Sequence, residues 1–202
     1  MTAFDLSVSS ATPALRPATP DDAPHLARFV VAAGEGMPLV FWAEAAGPGE
    51  SVWDVGTARA RRDTGAFSWR NATIATIDGR VVGGAISYPL PDVPEGDDTS
   101  DRPAIVRPLL ALEARAPGHV YLNVLAVDPE ARGRGVARAL LDAFEASARV
   151  CGRTTAIIVD DANVRAFDLY RGFGYREIAR EAIVTSDRWR AAGEHWVLLT
   201  KG

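Results

Sequence analysis

The residues with the clearest chemical potential form a glycine- and arginine-rich segment at positions 132–138, RGRGVAR. The segment follows an apolar stretch and precedes a run with helical periodicity, so it should open a helix. A helix start exposes up to roughly four unpaired N–H groups and a partial positive charge. The two glycines leave the backbone accessible, and the three arginines add positive charge. The pattern predicts a binding site for a phosphate or diphosphate group.

Two common phosphate motifs do not fit this segment. The dinucleotide fingerprint requires a glycine or alanine where this chain has Arg138, and it also requires an acidic partner further along. The P-loop requires Gly-Lys-Ser/Thr, which this segment lacks. A nicotinamide-binding protein is therefore a disfavoured alternative.

The segment instead resembles the pyrophosphate-binding motif of the GNAT N-acetyltransferases, Arg/Gln-x-x-Gly-x-Gly/Ala. Arg132, Gly135 and Ala137 occupy its three defined positions. As in that family, the motif follows an apolar strand and opens a long amphipathic helix, and this context makes the match specific. The resemblance covers roughly residues 15–200.

A second stretch, residues 161–173 (DANVRAFDLYRGF), resembles a later motif of the same family in which an Asn precedes a Leu-Tyr pair and a Gly-Phe pair. Asn163 and Tyr170 are seven residues apart. This is about two helical turns, so both side chains should lie on one side of a helix. In the family, that side faces the pantetheine arm of the cofactor.

The resemblance implies an enzyme that moves an acetyl group from acetyl-CoA to a primary amine by direct attack, without a metal or a covalent intermediate. Tyr170 would protonate the departing thiolate, and Asn163 would contact the pantetheine. Backbone groups of residues 125–127 would bind the pantetheine as an added strand does, and those of residues 134–138 would bind the pyrophosphate. The implied cofactor-binding residues are Leu125, Ala126, Val127, Arg132, Gly133, Arg134, Gly135, Val136, Ala137, Arg138, Asn163 and Tyr170.

The general base is the point at which the chain departs from the family pattern. Many relatives carry a glutamate on the strand before the pyrophosphate loop, whereas residues 120–127 (VYLNVLAV) contain no carboxylate. Glu113 is the first candidate for this role and Glu35 the second. A water chain to either, or an amine already deprotonated, would also serve. An unpaired N–H near Leu125 is the candidate oxyanion donor.

The missing strand carboxylate keeps other functions open. One is an acyl-CoA-binding sensor without turnover, and another is a transferase of a longer acyl group, which the space around Tyr121 and Asn123 would decide. The acceptor is an unidentified small-molecule or peptide amine. Trp42, in a Gly- and Pro-rich stretch, is the candidate wall of the acceptor pocket. Members of the family often pair as homodimers, and the resemblance extends that expectation to this chain.

Composition narrows the class of protein further. The chain has 202 residues, of which 48% are hydrophobic and 24% charged, as in ordinary globular domains. Its net charge of -4 gives no reason to expect nucleic acid. Cys151 is the only cysteine, and the three histidines lie far apart, so no metal site is expected. Neither a membrane span nor a signal peptide is expected, and the prediction is a cytoplasmic enzyme.

The elements that must position the phosphate-binding segment follow from hydrophobic periodicity. Residues 120–127 and 155–159 read as strands buried on both faces, and residues 135–150 and 162–171 as helices. The remaining predicted elements lie on either side of this unit: a first strand at 15–19, a helix from Thr19 to Gly34, a weaker helix at 51–62, a hairpin around Asp78-Gly79, a short helix near 109–114, and closing strands at 176–185 and 195–200.

This order predicts a mixed α/β (α+β) fold of the GNAT-like acyl-CoA N-acyltransferase type. It consists of a twisted mixed sheet with antiparallel N-terminal strands and a βαβ core that contains one parallel pair. Residues 1–13 are expected to be a disordered tail, and residues 14–202 a single acetyltransferase domain.

Overall fold

The computed structural model describes residues 12–93 and 99–202. The predicted disordered tail falls almost wholly outside these ranges and stays a prediction. The seven strands are β1 (Ala14–Pro17), β2 (Ala72–Ile77), β3 (Arg80–Pro89), β4 (Val120–Val127), β5 (Thr155–Asp160), β6 (Arg176–Ala182) and β7 (His195–Lys201). They form one sheet in the order β1-β2-β3-β4-β5-β7-β6. Only β4 and β5 pair in parallel, and every other neighbouring pair is antiparallel.

The helices pack against both faces of this sheet, as the hydrophobic clusters show. One face is covered by α5 (Val136–Val150) and α6 (Val164–Gly172), whose apolar residues pack against Leu122, Ile157 and Val159. The opposite face is covered by four helices: α1 (Ala23–Ala33), α2 (Met37–Ala45), α3 (Val52–Ala60) and α4 (Arg107–Glu113). The mixed α/β fold with its parallel central pair is therefore confirmed. In the described part of the chain, no helix is both long and apolar enough to cross a bilayer.

Turn chemistry explains the first half of the chain. The hairpin between β2 and β3 turns at Asp78 and Gly79, with φ of 50° and 75°. Two consecutive positive φ values define the two-residue turn that the Asp-Gly pair predicts. The stretch after α1 is not a loop throughout, because α2 forms within it. This helix is apolar on all sides, so no amphipathic period marks it in the sequence.

A β-bulge changes the direction of side chains along β4. Ile86 pairs with Val124 and Ser87 with Leu122, so Asn123 is an extra residue on β4. Consequently, Leu122 packs on the α5 side while Val124 packs on the α1 side, although a regular strand would point both the same way.

Asp22 fixes the start of α1 through a network of hydrogen bonds. Its carboxylate accepts from two nitrogens of Arg16 at 2.7 and 2.8 Å and from the backbone N–H of Thr19 at 2.8 Å. The carboxylate is buried, with 5% of the residue exposed. The hydrogen bonds from Arg16 lower the pKa of Asp22 to about 2, against the opposing effect of burial.

The Asp22→Asn variant should lower the free energy of unfolding by about 1–3 kcal/mol at pH 7, because charged hydrogen bonds are lost. The pKa in the folded protein lies below the ordinary value of about 3.9. The stabilisation is therefore present above pH ~4 and is lost as the pH falls toward 2. Denaturant unfolding at several pH values measures this, with the exposed Asp21→Asn as control. If wild type and Asp22→Asn differ in free energy of unfolding at pH 2.5 as much as they do at pH 7, the low pKa is not that of Asp22.

Candidate active site

A cavity of about 570 Å³ lies where β4 and β5 separate. The two strands pair only at their starts, from Val120–Thr155 to Leu122–Ile157. Beyond this point β4 remains paired with β3, and β5 remains paired with β7. Residues from both faces of the sheet line the cavity, so it passes through the sheet between the two strands. Those from the α6 side include Ala166, Leu169 and Tyr170, and those from the α1 side include Ala32, Ala33 and Glu35.

The mouth on the α5 side is built from the glycine- and arginine-rich segment. Gly135 is the N-cap of α5 with φ of 78°, and Gly133 has φ of 76°. A Cβ at either position would meet open space, so these glycines serve the left-handed backbone rather than the packing. Two left-handed residues separated by one residue direct successive N–H groups into a concave nest at the helix start. This geometry suits a phosphate.

The arginines of the segment differ in position. Arg132 and Arg138 line the cavity, and the guanidinium of Arg138 lies 4.9 Å from the ring centre of Phe173. Arg134 is not among the residues that line the cavity, and it is engaged in an interaction within the protein. The other residues predicted to bind the cofactor line the cavity: Leu125, Ala126, Val127, Gly133, Gly135, Val136, Ala137, Asn163 and Tyr170.

Asn163 and Tyr170 lie on the same side of α6, as their spacing predicts. Asn163 is the N-cap of α6, and its Oδ1 accepts from the N–H of Ala166 at 3.2 Å. A contact to the cofactor arm would therefore come from its amide nitrogen. Tyr170 is buried, and burial raises its pKa well above the ordinary value. Its hydroxyl is accordingly protonated at neutral pH, as a proton donor must be.

Glu113 ends α4 and lies outside the cavity lining. Burial raises the pKa of Glu113 to about 7. Burial is the largest cause of the raised pKa of the Tyr88 and Tyr121 hydroxyls, and the charge of Glu113 is the second. These two hydroxyls therefore lie near the Glu113 carboxyl. The amide of Asn123, which lines the cavity, donates to the Tyr88 hydroxyl at 2.9 Å. Glu113 thus lies near side chains around the bulge of β4, next to Asn123 in the cavity lining.

A second carboxyl group lies in the cavity itself, on the α1 side. Glu35 lines the cavity with Asp160 and Trp196. The pKa of Glu35 is raised to about 7, first by burial and then by the adjacent Asp160 carboxyl, against the opposing effect of a hydrogen bond from the N–H of Ala192. Asp160 and Trp196 are not among the site residues predicted from the sequence, because the local pattern of their strands does not indicate which residues face a cavity.

The predicted role of Trp42 is wrong. Trp42 is buried in α2 and packs so closely on Gly56 that a side chain there would overlap its ring. It belongs to the core under α1 and is not among the residues that line the cavity. Trp196 supplies the aromatic wall instead.

The residues present fit coenzyme A in three respects. A nest of N–H groups with two arginines suits its pyrophosphate, and the edge of β4 freed from β5 offers backbone partners to an extended arm. The buried hydroxyl of Tyr170 lies in the lining between the two mouths, where a thiol at the end of that arm would need a hydrogen-bond donor.

The fold recurs in several solved structures of low sequence identity. A structure described as an acetyltransferase is 21% identical, covers 93% of this chain and 98% of its own, and has a TM-score of 0.64. The polyamine N-acetyltransferase of Drosophila melanogaster, which forms N-acetylagmatine, is 18% identical with coverage of 94% and 99% and a TM-score of 0.64. The ribosomal-protein-S18-alanine N-acetyltransferase of Escherichia coli is 16% identical with coverage of 94% and 92% and a TM-score of 0.56.

No curated protein matches the chain. A family model described as the acetyltransferase (GNAT) family matches residues 41–175, about two thirds of the chain, including the phosphate-binding segment and Tyr170. The resemblance stated from the two sequence motifs is therefore confirmed, and the protein belongs to the GNAT acetyltransferase family.

Proposed function

We propose that this protein transfers an acetyl group from acetyl-CoA to a primary amine. The observation that carries the proposal is the cavity through the sheet, with a phosphate-binding helix start at one mouth and carboxyl groups at the other. A donor bound from one side and an acceptor bound from the other would meet between β4 and β5. Bound acetyl-CoA supplies an activated acyl carbonyl, and the chain has to orient it, exclude water and move protons.

Binding rests on the backbone at the α5 mouth. The N–H groups of residues 134–138 hold the pyrophosphate, and Arg132 and Arg138 neutralise its charge. The free edge of β4 at Leu125 and Val127 pairs with the pantetheine, which aligns the thioester with the slot. A backbone N–H near Leu125 stabilises negative charge that develops on the acyl oxygen.

Two side chains move protons in this proposal. Tyr170 donates its proton toward the leaving sulfur, because its buried hydroxyl lines the slot. Glu113 receives the proton of the amine through the Tyr88 or Tyr121 hydroxyl and intervening water. A carboxyl with pKa of about 7 is suited to a base that operates near neutral pH.

The acceptor is a primary amine whose identity the family does not fix. The solved relatives named above differ in their acceptors, which are a polyamine in one and a ribosomal protein in the other. One measurement distinguishes a sensor without turnover from the proposed acetyltransferase. A sensor would bind acetyl-CoA but release no free thiol with any amine. A transferase of longer acyl groups would prefer a longer thioester in the same assay.

The Gly135→Ala variant should weaken acetyl-CoA binding by about tenfold. A Cβ at φ of 78° is strained by about 1–2 kcal/mol, and relieving the strain turns the nest amides away from the pyrophosphate. Gly152→Ala is the matched control, because Gly152 has φ of 66° at the other end of α5 and is not part of the cavity lining. Titration calorimetry should give unchanged affinity for the control. Equal affinities for both variants, or no saturable binding to the wild type below millimolar, would overturn the site.

The Tyr170→Phe variant should lower kcat by about 10²-fold or more while leaving acetyl-CoA affinity within a few fold. The loss follows from removal of a proton donor from the reacting end of the cavity. Stopped-flow detection of free thiol, together with calorimetry, separates the two effects. Tyr175→Phe is the control, because Tyr175 is an equally buried tyrosine, 6.0 Å away between ring centres, that does not line the cavity. Unchanged turnover of Tyr170→Phe would remove the proton-donor role.

The Glu113→Gln variant should lower kcat/KM by about 10²-fold with every amine. In the wild type, kcat/KM should rise with pH and level off above about 7, because the ionised carboxylate is the active form. With n-butylamine as the acceptor, the variant should lose this limb, whereas Glu35→Gln should keep it. A pH–rate series on the three proteins measures the difference. If Glu35→Gln loses the limb and Glu113→Gln keeps it, the base is Glu35.

A further inference from the structure

The mouth of the cavity on the α1 side brings two carboxyl groups together. Glu35 lies between α1 and α2 with φ of 50°, and its carboxyl lies beside that of Asp160 in the lining of the cavity. Such a conformation is uncommon for a residue other than glycine, and it holds Glu35 at the end of β5. The indole N–H of Trp189 donates to the backbone oxygen of Glu35 at 3.0 Å and fixes the loop.

Asp160 is held from the opposite side by the backbone. The residue is 3% exposed, and its carboxyl accepts from the N–H of Ala162 at 2.8 Å and from that of Gly193 at 3.1 Å. A side chain at Gly193 would overlap the carboxyl oxygens of Asp160 and Asp161. The loop before β7 therefore closes tightly over Asp160 and leaves its carboxyl little freedom.

Trp196 is an independent sign that this mouth is built for a ligand. It is the register partner of Asp160 on the neighbouring strand, lines the same cavity and is 5% exposed. Its indole nitrogen is buried and has no hydrogen-bond partner among the described residues. Its ring stacks on that of Trp189, with centres 6.3 Å apart and planes 3° apart. A buried polar group usually has a partner, so this donor is left for a ligand or a water that accompanies it.

The carboxyl pair has no cation of its own. In the described ranges, neither Glu35 nor Asp160 forms an ion pair with a basic side chain. The neighbouring Asp161 pairs with His195 at 3.1 Å, and within the same ranges Arg165, which also lines the cavity, forms no ion pair with Glu35 or Asp160. Two adjacent carboxyl groups without a counter-ion, Asp160 buried and Glu35 half-buried, favour an external cation between them.

We propose that Glu35 and Asp160 bind the second positive charge of the acceptor, so that the preferred substrates are amines with two cationic groups. This inference rests on the proposed acetyl transfer and names the acceptor class of the same site. The distal ammonium or guanidinium lies between the two carboxyls and donates to both. The face of the Trp196 ring adds a cation–π contact, and the apolar arm of the substrate runs toward the slot between β4 and β5.

The test compares two acceptors with four-carbon chains, 1,4-diaminobutane and n-butylamine, on the wild type and two variants. The wild type should prefer the diamine by at least about tenfold in kcat/KM, mainly through a lower KM and beyond the factor of two that a second amine gives by number. Glu35→Gln should lose most of this preference. Glu194→Gln is the control, because Glu194 is exposed on the same closing loop and is not part of the lining, and it should keep the preference.

Three outcomes would overturn the inference: a wild-type ratio near the factor of two, an unchanged ratio in Glu35→Gln, or an equal fall of kcat for both acceptors in that variant. Turnover of n-butylamine and calorimetric binding of acetyl-CoA test the proposed acetyl transfer separately. A failure of that function can therefore be distinguished from a failure of the inference about the acceptor. If Glu35→Gln does not fold, calorimetry on the wild type with coenzyme A present decides instead. The diamine must then bind at least about tenfold more tightly than the monoamine.

Discussion

Parallel pairing that stops after three residue pairs is the constraint on which the site depends. A sheet interior normally satisfies the N–H and C=O groups on both sides of every strand, and unpaired groups in a protein interior are costly. Here β4 and β5 each keep their outer partner and lose each other beyond Leu122 and Ile157. The bulge at Asn123 redirects β4 where they separate. The fold thereby carries a strand edge in the middle of its sheet, where an extended ligand can pair with the backbone.

A cavity that crosses the sheet also separates charge. The mouth on the α5 side carries Arg132, Arg138 and the positive end of α5, whereas the mouth on the α1 side carries Glu35 and Asp160. An anionic donor and a cationic acceptor would each be attracted to a different mouth and repelled by the other. The walls of the slot between them are formed by apolar side chains such as Leu122, Ile157 and Val159, in which electrostatic interactions are stronger than in water. For the proposed reaction, the same arrangement would order the two substrates and bring their reacting ends together.

The parts of this arrangement that could be predicted are those encoded locally. Glycines at positive φ, the buried strand β4 and the periodic helices α5 and α6 all follow from neighbouring residues, and the position of the mouth on the α5 side could be predicted with them. The acceptor mouth could not be predicted in the same way. Glu35 and Asp160 are 125 positions apart and meet only because β5, β7 and the loop after α1 converge. For the same reason, the sequence does not distinguish Trp42 from Trp196, because a tryptophan packed in a helix and one that lines a cavity give the same local signal.

The two carboxyls with raised pKa lie toward the α1 face, and their physical cost argues that they serve the chemistry rather than the fold. For the largely buried Glu113, raising the carboxyl pKa from about 4.5 to about 7 corresponds to a few kcal/mol of unfavourable ionisation. Glu35 is half-buried, so solvent screening makes its cost smaller. An apolar residue of similar volume at Glu113 would avoid that cost, and the surrounding tyrosines would pack against it as well. Asp22 provides the contrast, because its burial is offset by Arg16 and its pKa falls. In the described part of the chain, neither Glu35 nor Glu113 forms an ion pair with a basic side chain, which would leave them free to exchange a proton or to receive a cation from the proposed substrate.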